Sequence, residues 1–341
     1  TQDVTDSPVV TRIEIPGLLD RAAAGDGFWL IPVAAGGLGY DAAARAALPA
    51  TSLNDFGTWN MARVADDPAT DEQITRIARR ALVRRLQAAH AVLPAGTPLM
   101  VDVVTRGVAA LAPDAMLTVD LTHRFDGRRA HPDAWPARLL PALSAVVDEA
   151  TRQAPGRVLH LRGFVGLPTA VALGMKLLAP GAGQAAWLQR TRGRPDTPYS
   201  LDERPQPSGF DVRLEDNRPD AEDLAVLVNV NADTSFAVNA TSGLPPFRGR
   251  VRADAPGGYP HTFDEPGEAV ELAHRIISRL REARSRYGQV GAVHLFAAAP
   301  LGLAFLLGQL LNTFGTVHTY EHVGEDGVGY YEHAVTLHPS S

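Results

Sequence analysis

The sequence predicts an α/β protein built from two tandem, similar units with mainly parallel sheets. Three observations lead there: a stretch near the middle of the chain recurs near its end, strand-like and helix-like segments alternate in both copies, and 341 residues suffice for two domains of about 150 each. The repeat is clearest where Arg157–Gly174 is set on Gly291–Gly308 at a constant offset of 134, which places His160 on His294, Leu161 on Leu295, Leu167 on Leu301, Ala170 on Ala304, Leu173 on Leu307 and Gly174 on Gly308. Two ordinary α/β segments could match at single positions by chance. Recurrence of the His-Leu and Leu-Gly pairs in the same order favours duplication.

Further matches extend it. Ala185–Arg190 meets Val317–His322 at offset 132, and the period-2 alternation of Leu117–Thr122 meets that of Val226–Asn231 at offset 109. Each of these two alternating strands leads through a loop to a helical stretch, Ala137–Ala154 in the first unit and Gly267–Tyr287 in the second. Each unit closes on another alternation, Phe210–Leu214 and Tyr331–Leu337. The order strand, helix, strand, helix, strand, strand implies right-handed crossovers and helices on the sheet faces. The polar, proline-containing stretch Asn217–Asp220 marks the boundary, giving units at 96–218 and 219–341.

Ahead of them, residues 1–27 read as a linker or arm, and 28–95 as an N-terminal α/β segment packing on the first unit. Within it, Phe28–Val33 resembles a buried strand, Ala34–Gly39 a turn, and Asp71–Val92 an amphipathic helix with Asp71 near its start and arginines along its polar face. Leu99–Val104 is a further strand.

Composition narrows the function. Hydrophobic residues make up 45% and charged residues 21%, ordinary for a soluble chain, and the net charge is −6. Lys176 is the sole lysine among 32 basic residues, so the arginine count reflects a coding bias rather than nucleic-acid affinity. The absence of cysteine excludes disulfides, thiolate metal sites and cysteine nucleophiles, and nothing requires an oxidising compartment. The longest apolar run, Val293–Leu311, is interrupted by His294, Pro300, Gly302 and Gln309, so no membrane span is expected. The chain starts at Thr1 without a signal-peptide pattern; a processed chain or fragment in the cytoplasm is the expectation.

In doubly wound α/β units, ligands sit at the carboxyl ends of the strands. The repeat marks that place twice, in Arg162–Pro168 and Phe296–Pro300, both small or apolar and leading into a helix whose N-terminus favours phosphate. Tight strand–helix packing without a ligand would use the same residues. Thr122–Phe125, Gln189–Arg190, Asn231–Phe236 and Glu321–His322 add polar and aromatic groups at the same rim. Arginine can grip phosphate through two parallel bonds, phenylalanine can stack on a base, and Gln or Asn can satisfy base edges. Catalytic signatures are missing: no Gly-x-Ser-x-Gly, no Walker loop and no His-Glu-x-x-His, and the 11 histidines form no tight ligand spacing. Asn54–Gly57 and Ala35–Gly39 mimic fragments of kinase and dinucleotide motifs without the residues those motifs need. No catalytic residue, metal or cofactor is expected.

Val293–Pro300, Leu307–Leu311, Val317–His322 and the final tyrosine-rich strand resemble the C-terminal half of a SAVED domain; Leu117–Phe125, Trp135 and Ala186–Gln189 resemble its first half. The resemblance covers about residues 96–341. It implies two fused CARF-like, Rossmann-like units related by a pseudo-two-fold, and a sensor of cyclic oligonucleotides, commonly cyclic tri- or tetra-adenylate, in CBASS or type III CRISPR antiviral defence. It also implies that binding drives self-association and switches on an effector, either N-terminal to this chain or separate from it. On that reading the ligand-binding candidates are Thr122, Arg124, Phe125, Arg162, Phe164, Gln189, Arg190, Asn231, Ser235, Phe296, Ala298, Ala299, Pro300, Tyr320 and Glu321. The arginines would contact phosphate, the aromatics stack, and Gln189, Asn231 and Glu321 meet base edges or ribose, because a carboxylate repels phosphate. Ala297–Ala299 would let backbone approach the ligand. A ring nuclease on the same scaffold, or a module that only holds an effector chain, remains the alternative.

Overall fold

The computed structural model describes residues 17, 21, 33–34, 62–63, 71–107, 114–177, 185–190, 195–324 and 329–339. The chain divides into two compact units, Thr1–Leu93 and Pro94–Ser341. In the first, Val33–Ala34 (β1) and Ala62–Arg63 (β2) pair in parallel. Asp71–Val92 (α1) is a helix over the span its periodicity predicts, with Asp71 and Glu72 in its first turn, where carboxylates complement the positive end of the helix dipole. The arm 1–27, the strand Phe28–Val33 and the turn Ala34–Gly39 lie outside the described residues except at 17, 21 and 33–34.

The second unit opens with Leu99–Val104 (β3) and Leu117–Asp120 (β4), then a short hairpin of Phe125–Asp126 (β5) and Arg129–Ala130 (β6). A π-helical turn at Trp135–Leu139 runs on into Leu140–Gln153 (α2). Leu159–Arg162 (β7), Leu167–Lys176 (α3), Ala185–Gln189 (β8) and Thr197–Tyr199 (β9) follow. Then come Asp211–Asp216 (β10), Asp223–Asn229 (β11), Ser235–Ala240 (α4), Phe247–Asp254 (β12), Pro266–Tyr287 (α5), Val293–Ala298 (β13), Leu301–Leu311 (α6), Val317–Val323 (β14) and Tyr330–Leu337 (β15). Among the described residues no helix is long and apolar enough to cross a membrane.

Two sheets result, ordered β4-β3-β7-β8-β9 and β10-β12-β11-β13-β14-β15. Neighbours run parallel except at β9, β10 and β15, the antiparallel edges. Central strands are covered on both faces and read as continuous apolar runs: Leu224–Asn229 of β11 is buried throughout. Toward the edge, β12 alternates buried and half-buried residues along its length.

The five strands of the first order match β12-β11-β13-β14-β15 of the second, β10 being extra, and the match corrects the repeat. Val101 of β3 lies opposite Leu161, as Val226 of β11 lies opposite Leu295, so β11 corresponds to β3 and not to Leu117–Thr122. Neighbouring parallel strands carry the same short Leu/Val alternation, and the true counterpart of β4 is β12, whose arginines at 248, 250 and 252 hide the likeness. A second correction concerns Phe210–Leu214. This segment forms β10 but pairs with β12 at the edge of the second sheet, while β9 closes the first. A three-residue strand with proline at its centre shows no readable alternation.

Helices α3 and α6 lie against each other, and each also touches the other sheet, α3 on β14 and β15 and α6 on β8 and β9. At their crossing a Cβ on Gly174 would stand 3.0 Å from the Cα of Gly308 and closer still to the carbonyl oxygen of Phe305. A Cβ on Gly308 would stand 3.0 Å from the Cα of Gly174 and closer still to the carbonyl oxygen of Val171. Gly174 and Gly308 are repeat partners, and so are Val171 and Phe305. The contact is therefore reciprocal, as contacts across a two-fold axis are.

Candidate functional site

Because the inner strands of each sheet are parallel, their carboxyl ends line one rim, and direct contacts join the two rims. After β3, the backbone N–H groups of Thr105 and Arg106 donate to the carbonyl of Phe164 at 3.0 and 3.1 Å. The Gly166 N–H, at the start of α3, donates to Thr105 Oγ1 at 3.2 Å. Arg106 then reaches the second sheet, its Nη2 lying 2.5 Å from Glu321 Oε2 on β14. The pair packs directly over Gly166: a Cβ there would stand 2.7 Å from the Glu321 carboxylate and 2.8 Å from the Arg106 guanidinium, so a side chain would displace this contact. Burial pushes the Glu321 carboxyl above the usual carboxylate range, with the Arg106 charge opposing. Arg106 Nε is buried with no hydrogen-bond partner among the described residues.

The pseudo-two-fold gives a matching contact. Gln189, the repeat partner of Glu321, ends β8 and accepts a hydrogen bond from the Gly302 N–H at 2.9 Å, in the first turn of α6. Each unit thus sends one side chain to the helix start of the other. The Asn231 N–H donates to the Ala298 carbonyl at 2.7 Å, bringing the ends of β11 and β13 together. Arg128 Nη1, from the hairpin, donates to the His322 carbonyl at 3.1 Å.

Several sequence-predicted residues stand open at this rim. Phe164 is 65% exposed, and Arg190 and Asn231 are exposed. Ala298 and Pro300 are half-buried and Ala299 is buried, all at the β13–α6 turn. Thr122 and Arg124 form a 3-10 turn in which the Thr122 hydroxyl donates to Asp120 at 2.7 Å, and Phe125 meets Trp135 edge to face at 6.3 Å. Ser235 Oγ accepts from Arg252 Nη1 at 2.6 Å.

Other roles are corrected. Phe296 is fully buried and stacks on Tyr320 at 4.4 Å in an apolar cluster with residues of α4, so neither ring is available to a base. Their positions project perpendicular to the sheet rather than outward from its end. Arg162 is held by Asp102 at 2.7 Å and by both oxygens of Asp114 at 2.6 and 2.9 Å, so its fork is already filled by carboxylates. Glu321 faces Arg106 rather than open solvent. Inward from the rim, His294 bonds Tyr320 at 2.7 Å and Asp223 at 3.1 Å and stacks on His318; burial lowers its pKa to about 4.

Arg106, Thr105 and Gly166 were not among the sequence candidates. Matching Leu99–Val104 to β11 would have found the first, since the shared register places Arg106 on Asn231. Among the described residues no group of three His, Asp or Glu is placed to hold a metal ion.

Two Rossmann-like lobes docked about a pseudo-two-fold, with strand ends in contact, define a duplicated α/β ligand-binding fold. The model of the sensor domain called SMODS-associated and fused to various effectors, SAVED, matches residues 139–337, more than half of the sequence, and the chain belongs to that family. Among solved structures it is similar to the Acinetobacter baumannii Cap4 SAVED/CARF-domain receptor with the cyclic trinucleotide 3'3'3'-cAAA, at 17% identity and TM-score 0.54 over 78% of this chain and 56% of that one. The same receptor with 2'3'3'-cAAA gives 18% identity, the same coverage and the same TM-score. The Moraxella osloensis Cap4 receptor gives 16% identity and TM-score 0.50 over 75% of this chain and 54% of that one. The likeness shows a shared tandem CARF-like fold, and this chain spans little more than half the length of those receptors. No curated protein matches the sequence.

Proposed function

We propose that the chain is a sensor that binds a cyclic oligonucleotide, cyclic tri- or tetra-adenylate, along the joined rim and does not cleave it. Binding favours a self-associating state that activates a fused or partner antiviral effector in the cytoplasm, in a CBASS or type III CRISPR setting. The observation that carries this reading is the pair of cross-lobe contacts, Gln189 to Gly302 and Arg106 to Glu321, which put the strand ends of both lobes on one surface. Cap4 receptors of the same fold were solved with cyclic trinucleotides, which supports the choice of ligand class. Exposed Phe164 supplies a stacking face, Arg190 a phosphate contact, Asn231 a base-edge contact, and the Ala298–Pro300 turn a close backbone approach. Thr122, Arg124 and Ser235 flank them.

Ring binding shifts association only through a difference in affinity between the two states. Calorimetric titration with cyclic tri- and tetra-adenylate, followed by sizing and chromatography of the ligand, tests the proposal. A dissociation constant below about 1 μM for one ring, near −8 kcal/mol, with growth in size and recovery of intact ligand, is the expected result. Weaker binding to every ring discards the sensor, and ring opening on prolonged incubation replaces it with the nuclease reading.

A further inference from the structure

Where the two halves differ beside α3, a cavity of about 650 Å³ opens, within the range of small-molecule sites. It lies where the β5–β6 hairpin, the π-turn at Trp135, the start of α3 and strand β15 converge. At the equivalent place in the other half stands a tyrosine ring. Tyr199 stands opposite Trp187 on β9, and its ring packs so tightly on Gly302 that a Cβ there would be 2.6 Å away. The residue in the same register on β15, opposite Thr319, is Val335, and the repeat partner of Gly302 is Pro168; both line the cavity. A tyrosine ring in one half and a valine in the other is the difference that opens the space. The second half also carries a regular helix, α5, where the first has its π-turn, a feature that recurs at functional sites.

The lining indicates what enters. Glu321 and Glu332 are two of its walls, which disfavours a phosphate. The arginines there are already engaged with protein groups: Arg129 is bound to both oxygens of Glu332 at 2.8 and 2.7 Å and to Tyr330, and Arg128 donates to the His322 carbonyl. The flat apolar wall is Trp135 with Phe125. Thr169 lines the cavity, is 1% exposed, and its Oγ1 has no hydrogen-bond partner among the described residues. Buried hydroxyls without partners are rare in folded proteins. An uncharged planar group with hydrogen-bond donors satisfies all of these features together.

We infer that this cavity seats one amino-bearing nucleobase of the bound ring, so that one nucleotide is held in a pocket while the others lie along the rim. The inference rests on the sensor reading above. The Thr169 hydroxyl meets a ring nitrogen, the exocyclic amine donates toward a carboxylate wall, and the aromatic wall takes the base plane.

The test compares cyclic triadenylate affinity of the full chain with that of Val335→Tyr, which imports the ring carried by the other half, and Thr169→Val, which removes only the hydroxyl. A ring with hypoxanthine in place of adenine is the second ligand. Val335→Tyr is expected to lose at least tenfold in affinity. Thr169→Val should lose about fivefold, the scale of one hydrogen bond, while keeping or raising the thermal midpoint because it removes an unpartnered buried group. The wild type should bind the hypoxanthine ring at least tenfold more weakly. If the wild type binds triadenylate and both variants bind it equally well, the base seat is refuted and the sensor stands. If the wild type binds no ring, both fall. Should Val335→Tyr fail to fold, Thr169→Val and the hypoxanthine ring decide.

Discussion

Replacing Gly174 by alanine sets two effects of opposite sign against each other. Helix propensity alone favours alanine over glycine in a helix interior by about 1 kcal/mol. The α3–α6 crossing opposes it, since the added methyl would lie 3.0 Å from the Gly308 Cα and nearer still to the Phe305 carbonyl oxygen, both backbone atoms that cannot rotate away. Carbon atoms settle at about 3.5–4.0 Å, so the helices must separate by on the order of 1 Å along much of their contact. Overpacking of this kind costs about 1–3 kcal/mol, occasionally more; with backbone on the far side of the contact the upper end applies, and the net expectation is a loss of about 2 kcal/mol. Gly308→Ala should lose a similar amount. The double variant should lose less than the sum, because one separation relieves both clashes. Urea unfolding followed by tryptophan fluorescence reads this directly, Trp187 being buried 6.2 Å from Phe305 of α6. A Gly174→Ala protein as stable as the wild type, or more so, would refute the close crossing and with it the pseudo-two-fold.

Acid should weaken the second sheet through His294, whose pKa is about 4 when folded against about 6.5 unfolded. The unfolded chain binds more protons between those values, so stability is full above the upper one and falls by about 3 kcal/mol as pH drops to the lower. Burial lowers His318 and His333 as well, in the same direction, while Asp223 opposes at His294 and His318; a urea midpoint unchanged from neutral pH to mild acid contradicts this. Arg106→Met leaves the Glu321 carboxylate buried without its cation and should cost about 2 kcal/mol, most of it recovered by adding Glu321→Leu in a double-mutant cycle. Gln189→Leu removes the acceptor at the start of α6 and should cost about 1 kcal/mol by thermal melting, with no loss pointing to water in its place. Phe164→Ser and Phe236→Ser change side chains 65% and 68% exposed; their stability should stay within about 0.5 kcal/mol. Phe164→Ser should weaken ring binding in calorimetry, and an unchanged affinity would remove it from the site.

Long periodic elements were legible in the sequence. Asp71–Val92, Leu99–Val104 and the helix ending at Tyr287 stand where the patterns put them, because 3.6- and 2-residue periods accumulate over their length. Strand order was less so. Leu117–Thr122 and Leu99–Val104 are both short apolar strands in one parallel sheet, and nothing local says which one occupies the central position taken by β11. The choice of the wrong one hid Arg106. At the rim, sequence located the loops but not the side-chain directions. Phe296 lies only two positions before the Ala298–Pro300 turn yet points into the core, and Arg162 is claimed by Asp114, 48 positions away. Such pairings are long-range and leave no trace in a local pattern.

That two lobes share one binding rim is tested most directly by hydrogen–deuterium exchange with and without cyclic triadenylate. Protection is predicted to rise together at residues 105–107 and 163–167 of the first lobe and at 231–236 and 298–302 of the second. Protection confined to one lobe, or appearing only at the opposite strand ends, would contradict it.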